Sequence, residues 1–381
     1  MRLVLGSTAF ASLLFATLLH AQSRPAETGE IDWRSAEAPR LENHVQLTFD
    51  DRFYKAGEAY FSPDDQRVIF QAVEQPPAGV EPDEFYGMYV ADVVRAEGGR
   101  ITGLENIVRL SPNGSANTCG WFHPTDPGQV LFASTIVAPS PGAPPGYDRR
   151  SGRYRWMFPP EMRIVRTEIS PGSAGPRTLI EVAGDGSAYC AEGALDATGR
   201  HLVYCSLATG GGDLYIMDMK TGTTRSVVAA PGYDGGPFFS PDGKRICFRS
   251  DRQGNHLLQL FIGELAFDDD GAVVGLEREF QLTENGHVNW APYWHPDGRH
   301  LVYATSEVGH RNYEVFIVDA DPGGPGPTRY GTRRTRLTYA ARADVLPTFS
   351  QDGRHMIWTS QRGESGRSQL WVAEFTLEAP R

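Results

Sequence analysis

Asp234, Asn289, Asp344, Asn117 and Cys190 each stand six residues before a recurring turn. Glu58 and Glu192 stand four residues before it. Carboxylate and amide oxygens brought around one axis would suit a hard cation such as Ca2+, or the hydroxyls of a polar ligand. His287, two residues before Asn289, adds a group that can act as acid, base or ligand. The same residue types also have a purely local use. Asp and Asn ahead of a strand cap turns by bonding their own backbone. Both readings stand at this level.

Other chemistry is sparse. His123 and His295 take the place of serine in two of the turns, where either can satisfy backbone groups. No His-Glu-x-x-His occurs, and no Gly-x-Ser-x-Gly nucleophile elbow occurs. The four cysteines, Cys119, Cys190, Cys205 and Cys247, contain no Cys-x-x-Cys spacing and therefore no zinc motif. Cys205 with Cys247, and Cys119 with Cys190, lie on neighbouring repeats. Each pair is either a disulfide candidate or two small buried hydrophobes. An insertion over 136–162 begins rich in proline and turns basic and aromatic. Arg149, Arg150, Arg153, Tyr154, Arg155 and Trp156 have the make-up of an interface hot spot for a peptide, glycan or acidic partner. A loop packed on its neighbour by arginine stems is the alternative.

The element that must position these residues is a strand, a tight turn and a second strand. Its clearest copy is Phe238-Phe239-Ser240-Pro241-Asp242-Gly243 followed by Ile246-Cys247-Phe248. Proline sets φ for the second turn position and glycine ends the turn. Six copies occur, with turns at Ser62, His123, Asp196, Ser240, His295 and Ser350. A third apolar strand follows in every unit and a fourth in the first five. The sixth unit lacks its own fourth strand, while a matching one, His44-Val45-Gln46-Leu47-Thr48, precedes the first unit. The pattern predicts an all-β fold: a six-bladed β-propeller of four-stranded blades, its ring closed by the N-terminal strand completing the last blade.

Length and composition agree. In 381 residues, 42 glycines and 27 prolines accompany few long helical periodicities, as in a turn-rich β protein. Residues 1–21 have the form of a secretory signal: Arg2, then an apolar run to Leu19, then Ala21. Residues 22–43 read as a linker with a short helix near Trp33, 44–376 as the propeller and 377–381 as a tail. The formal charge of −11, one unit more negative once Arg2 is removed, argues against sequence-independent nucleic-acid binding. No other apolar run is long enough for a membrane span, so no stable span is expected after signal cleavage.

The repeat resembles the PD40 or TolB-like (WD40-like) propeller repeat, on Ser240–Gly243, Ile246–Phe248 and Ser250-Asp251-Arg252-Gln253-Gly254. Asn289–Gly298 and Asp344–Ser350 are similar to it as well. The resemblance spans roughly 45–375 and implies a six-bladed propeller in an exported bacterial protein. TolB itself carries an α/β domain ahead of its propeller, where this chain has only 22–43, so the resemblance extends to the fold and not to TolB's own role. The expected function is non-enzymatic binding of a protein or peptide partner in the cell envelope, periplasmic or secreted. The alternative is a channel-site lyase or hydrolase on a carbohydrate or peptide, metal-assisted.

Overall fold

A computed structural model describes residues 31–141, 159–169, 177–320, 331 and 333–377. The signal-type segment, residues 142–158 with all six basic and aromatic candidates of the insertion, and most of the 322–334 loop lie outside them.

Six four-stranded antiparallel sheets form the described fold. Blades 1 to 5 each use four consecutive strands. The sixth has the order N-terminal strand, then the last three strands in reverse, with Leu41 opposite Phe375 and Gln46 opposite Trp371. The ring is therefore closed as the repeat count predicts, by a strand beginning at Leu41. A five-residue helix, Trp33–Glu37, precedes that strand. It is capped by Asp32, whose side chain accepts from the Ser35 N–H. Glu37 is buried and accepts from the Tyr339 N–H and from both Arg362 Nη atoms. This ties the N-terminus to the fifth and sixth blades.

The innermost strands are Phe53–Phe61, Asn117–His123, Cys190–Leu195, Asp234–Phe239, Asn289–Trp294 and Asp344–Phe349. Each ends in the predicted turn, and the three serine turns share one bonding scheme. Ser240 Oγ donates to Asp242 Oδ1 (2.6 Å) and accepts from the Arg245 N–H (3.0 Å). Ser62 with Asp64 and Arg67, and Ser350 with Asp352 and His355, repeat it. The cores lie between blades: Ile246 and Phe248 pack towards blade 3, while Cys247 on the opposite face packs towards Trp294 and Tyr303 of blade 5.

That alternation settles the cysteines. All four are free thiols. Cys205 Sγ faces the Asp234 carbonyl of blade 4 at 3.3 Å, and Cys247 Sγ faces the Pro292 carbonyl of blade 5 at 3.9 Å. Both point the same way around the ring, each onto the next blade, so neither disulfide candidate forms.

Candidate functional site

Every innermost strand carries one irregularity at the same place. Its pairing shifts by one residue, and the extra residue has left-handed backbone: Glu58 (φ 45°), Cys119 (53°), Glu192 (60°), Gly236 (58°), Ala291 (52°) and Leu346 (55°). Such a conformation costs a residue with a Cβ about 1–2 kcal/mol. Strand pairing on both sides of each bulge holds it in place. These six residues all line one cavity on the channel axis, on the side where the inner strands begin.

The cavity has a floor. Two residues after each bulge come Tyr60, Trp121, Ala194, Phe238, Tyr293 and Thr348. The four aromatic rings from four different blades meet across the axis, with centroids 5.2 to 6.4 Å apart. Trp121, Phe238 and Tyr293 belong both to this cavity and to a separate vestibule lined by the turn prolines Pro63, Pro124, Pro241 and Pro296. The aromatic layer therefore divides the channel into two chambers, and among the described residues carboxylate and guanidinium groups line only the chamber on the strand-start side.

Of the candidate residues, Glu58 and Glu192 reach this chamber. Glu192 is buried and fully engaged. It accepts from Arg249 Nη2 (2.9 Å), from the Tyr233 hydroxyl (2.6 Å) and from the Gly236 N–H. Among the described residues Glu58 meets no cation. It accepts from the Tyr60 hydroxyl (3.1 Å) and from Thr118 Oγ1 (3.2 Å). Burial, with Glu192 nearby, raises its carboxyl above the ordinary range. Cys119 beside it is held well above the usual thiol range by the same burial and the two carboxylates, which makes it a poor nucleophile.

The residues six before the turns are engaged within or next to their own blades, in line with the local one of the two readings that the sequence leaves open. Asp234, Asn289, Asp344 and Asn117 are buried and spend their polar atoms on bonds that build the blades. Asp234 accepts from the Ala230 N–H and from Arg252. Asp344 accepts from Trp358 Nε1 and Arg362, both at 3.0 Å. Asn117 Nδ2 donates to the Tyr86 and Ser115 carbonyls, and Asn289 Nδ2 to Asn285, Gln259 and the His287 carbonyl. His287 thus enters through its backbone. Cys190 packs with Leu131 and Leu202. His295 accepts the Asp297 N–H, a turn role like that of the serines. Among the described residues no three His, Cys, Asp or Glu side chains gather as a metal site would require.

Two cavity residues were not anticipated. Arg249 fills the space where Gly236 lacks a side chain: a Cβ there would lie 2.0 Å from Arg249 Nη1. Gln71, on the second strand of blade 1 and opposite Gly57, lines the chamber with its Oε1 buried and without a hydrogen-bond partner. Gly236→Ala is expected to lower stability by about 1–3 kcal/mol, as overpacking does, by pushing Arg249 off Glu192. Ala291 adopts the same backbone in blade 5, so the position tolerates a Cβ at the left-handed cost given above, and the clash with Arg249 comes on top of it. A urea melt checks this, and Gly236→Ala combined with Arg249→Ala should lose that added steric penalty.

No family profile matches the chain. An uncharacterised protein of Agrobacterium fabrum is 29% identical over 131 residues, covering 33% of this chain and 41% of that protein. The Tol-Pal system protein TolB of Wolinella succinogenes is 27% identical over 173 residues, covering 44% of this chain and 36% of that protein. The matches thus span less than half the length of these curated relatives. Among solved structures, one described as a candidate TolB from Agrobacterium tumefaciens superimposes with a TM-score of 0.50 at 16% identity, covering 84% of this chain and 91% of that one. The chain is a six-bladed propeller, and its fold is similar to that of this structure.

Proposed function

We propose that this protein is a bacterial envelope protein whose propeller binds a protein or peptide partner at the strand-start chamber. The observation that carries the reading is the chamber itself. It is a concave, largely aromatic and apolar site on a rigid ring, closed behind by four packed rings, with a few fixed polar groups. A chamber closed at one end suits the capture of a chain end or side chain better than passage through the ring. The signal-type segment and the likeness to a Tol-Pal protein support the location. Among the described residues, no helix is long and apolar enough to cross a membrane. The basic and aromatic loop at 147–156 is proposed as a second contact for the same partner.

A photo-crosslinking amino acid placed at Leu346 tests this, with the same residue at Gln351 in the opposite vestibule as the comparison. Exposed to envelope extract of the source cell, the Leu346 position is expected to give adducts mapping to one discrete segment of one protein. Adducts scattered over many proteins, or equal from both positions, would overturn the reading. Deleting 147–156 should reduce the yield at Leu346 without changing the melting curve.

A further inference from the structure

Resting on the chamber being the partner site, we infer what it selects: a primary ammonium group carried by the partner, received by Glu58 and Gln71 against the aromatic floor. Three independent features of the chamber lead there. Its polar groups on the blade 1 side are acceptors. Gln71 is buried at 7% exposure and holds an unpartnered Oε1 beside the chamber, next to the strand that carries Glu58. A buried acceptor left without a donor is costly, and a ligand N–H would satisfy it. The second feature is charge. Among the described residues the only guanidinium lining the chamber, Arg249, is bonded to Glu192 and the Tyr233 hydroxyl. Among the described residues Glu58 bonds only to neutral groups, the Tyr60 and Thr118 hydroxyls and the Cys119 thiol, so the Glu58 carboxylate is the one left to meet a cation.

The third feature is the wall. Tyr60, Trp121 and Tyr293 present aromatic rings to the same space, and the negative face of such rings attracts a desolvated cation. The acidic balance of the whole protein draws cations towards it. An ammonium has three donors and no acceptor, which matches one carboxylate with one amide oxygen. Lysine side chains and free amino termini offer the same group.

The groups facing Glu58 are Tyr60, Cys119 and Glu192. Burial raises the Glu58 carboxyl, and only its ionised form attracts an ammonium. Binding should therefore weaken as pH falls through a range above that of an ordinary glutamate.

Trp121 and Trp290 line the chamber and provide a fluorescence signal for titration with short peptides. Four probes separate the sources. A doubly blocked Ala-Lys-Ala is set against its norleucine counterpart, and an amino-terminal Ala-Ala-Ala amide against its acetylated form. At least one amine-bearing probe is expected to bind tenfold or more tightly than its neutral twin. Glu58→Gln and Gln71→Leu should each erase most of that difference while both variants still melt cooperatively. Equal binding of amine and neutral probes, or discrimination unchanged in both variants, would overturn the ammonium inference and leave peptide binding standing. Binding of butylammonium alone, with no peptide bound, would uphold the chamber's chemistry and overturn the peptide reading. Absence of any binding would overturn both.

Discussion

Arg362→Ala is expected to lower folding stability by about 3–5 kcal/mol, the cost of removing one partner from a buried ion pair. The guanidinium is 1% exposed. It donates to both Glu37 oxygens (3.0 and 3.1 Å), to Asp344 (3.0 Å) and to Ser360 Oγ (3.0 Å). It also lies over Trp33, Trp358 and Trp371, at 4.3, 5.0 and 5.7 Å from the ring centroids. Without it, two carboxylates remain buried with no cation between them. The pH dependence should change sign as well. Arg362 and His44 hold Glu37 below the usual carboxylate range. In the native protein that stabilisation is present above the ordinary glutamate pKa and lost as pH falls through the depressed value. In the variant, burial dominates and Glu37 is raised, so its contribution is present at low pH and lost as pH rises. Urea melts at pH 5 and pH 8 read both effects: the variant's deficit should be larger at pH 8. A deficit under 1 kcal/mol at both values would show that the helix and first strand are not anchored through this residue.

The second large effect is expected at Glu192. Replacing it by alanine leaves Arg249 buried beside Tyr233 with no carboxylate, again a loss of about 3–5 kcal/mol. Glu192 lies on blade 3, while Tyr233, Gly236 and Arg249 all lie in or beside blade 4. The loss should therefore appear as loosened contact between these two blades, with faster hydrogen exchange along 234–239 than along 344–349. Glu192→Gln keeps an acceptor for the tyrosine and should cost less. Glu192→Leu with Arg249→Met removes both charges and should recover most of the stability. If the double variant is no better than Glu192→Ala, the pair's value lies in its geometry and not in charge compensation.

The fold was legible because the turn chemistry is local and repeated. Ser240, Asp242 and Gly243 specify their own bonds within six residues, and so do the copies at Ser62 and Ser350. The site was only half legible. Asp234 and Asp344 look like ligands in a single chain of letters, yet a second signal was present. The residue two after the partner of each strand-start residue is Arg252 in blade 4 and Arg362 in blade 6, the two blades with aspartate. Blades 2 and 5, with Asn117 and Asn289, have Ile136 and Glu307 there. In these four blades arginine stands there only where the strand starts with aspartate, so those aspartates pair within their blades. Glu58 and Glu192 were found, but the reason they face the axis was not. A bulge with left-handed backbone breaks the two-residue alternation that pattern reading relies on. Gln71 and Arg249 come from second strands, whose approach to the axis depends on how blades pack, and no local rule marks them.

Closure by the first strand also sets a clock. Leu41 leaves the ribosome early, and its partner Phe375 is made 334 residues later. At 5–20 residues per second, the strand waits roughly 17 to 67 s for its neighbours. Throughout that interval Trp33, Leu41 and the Glu37 carboxylate have no Arg362 or Trp371 to dock on. Blades 1 to 5 can assemble in order of synthesis, while the sixth is made last and joins both ends of the ring in one step. Inherited or engineered changes in the final thirty residues should therefore register first in yield and solubility during production, before they register in the melting point of whatever ring has already closed.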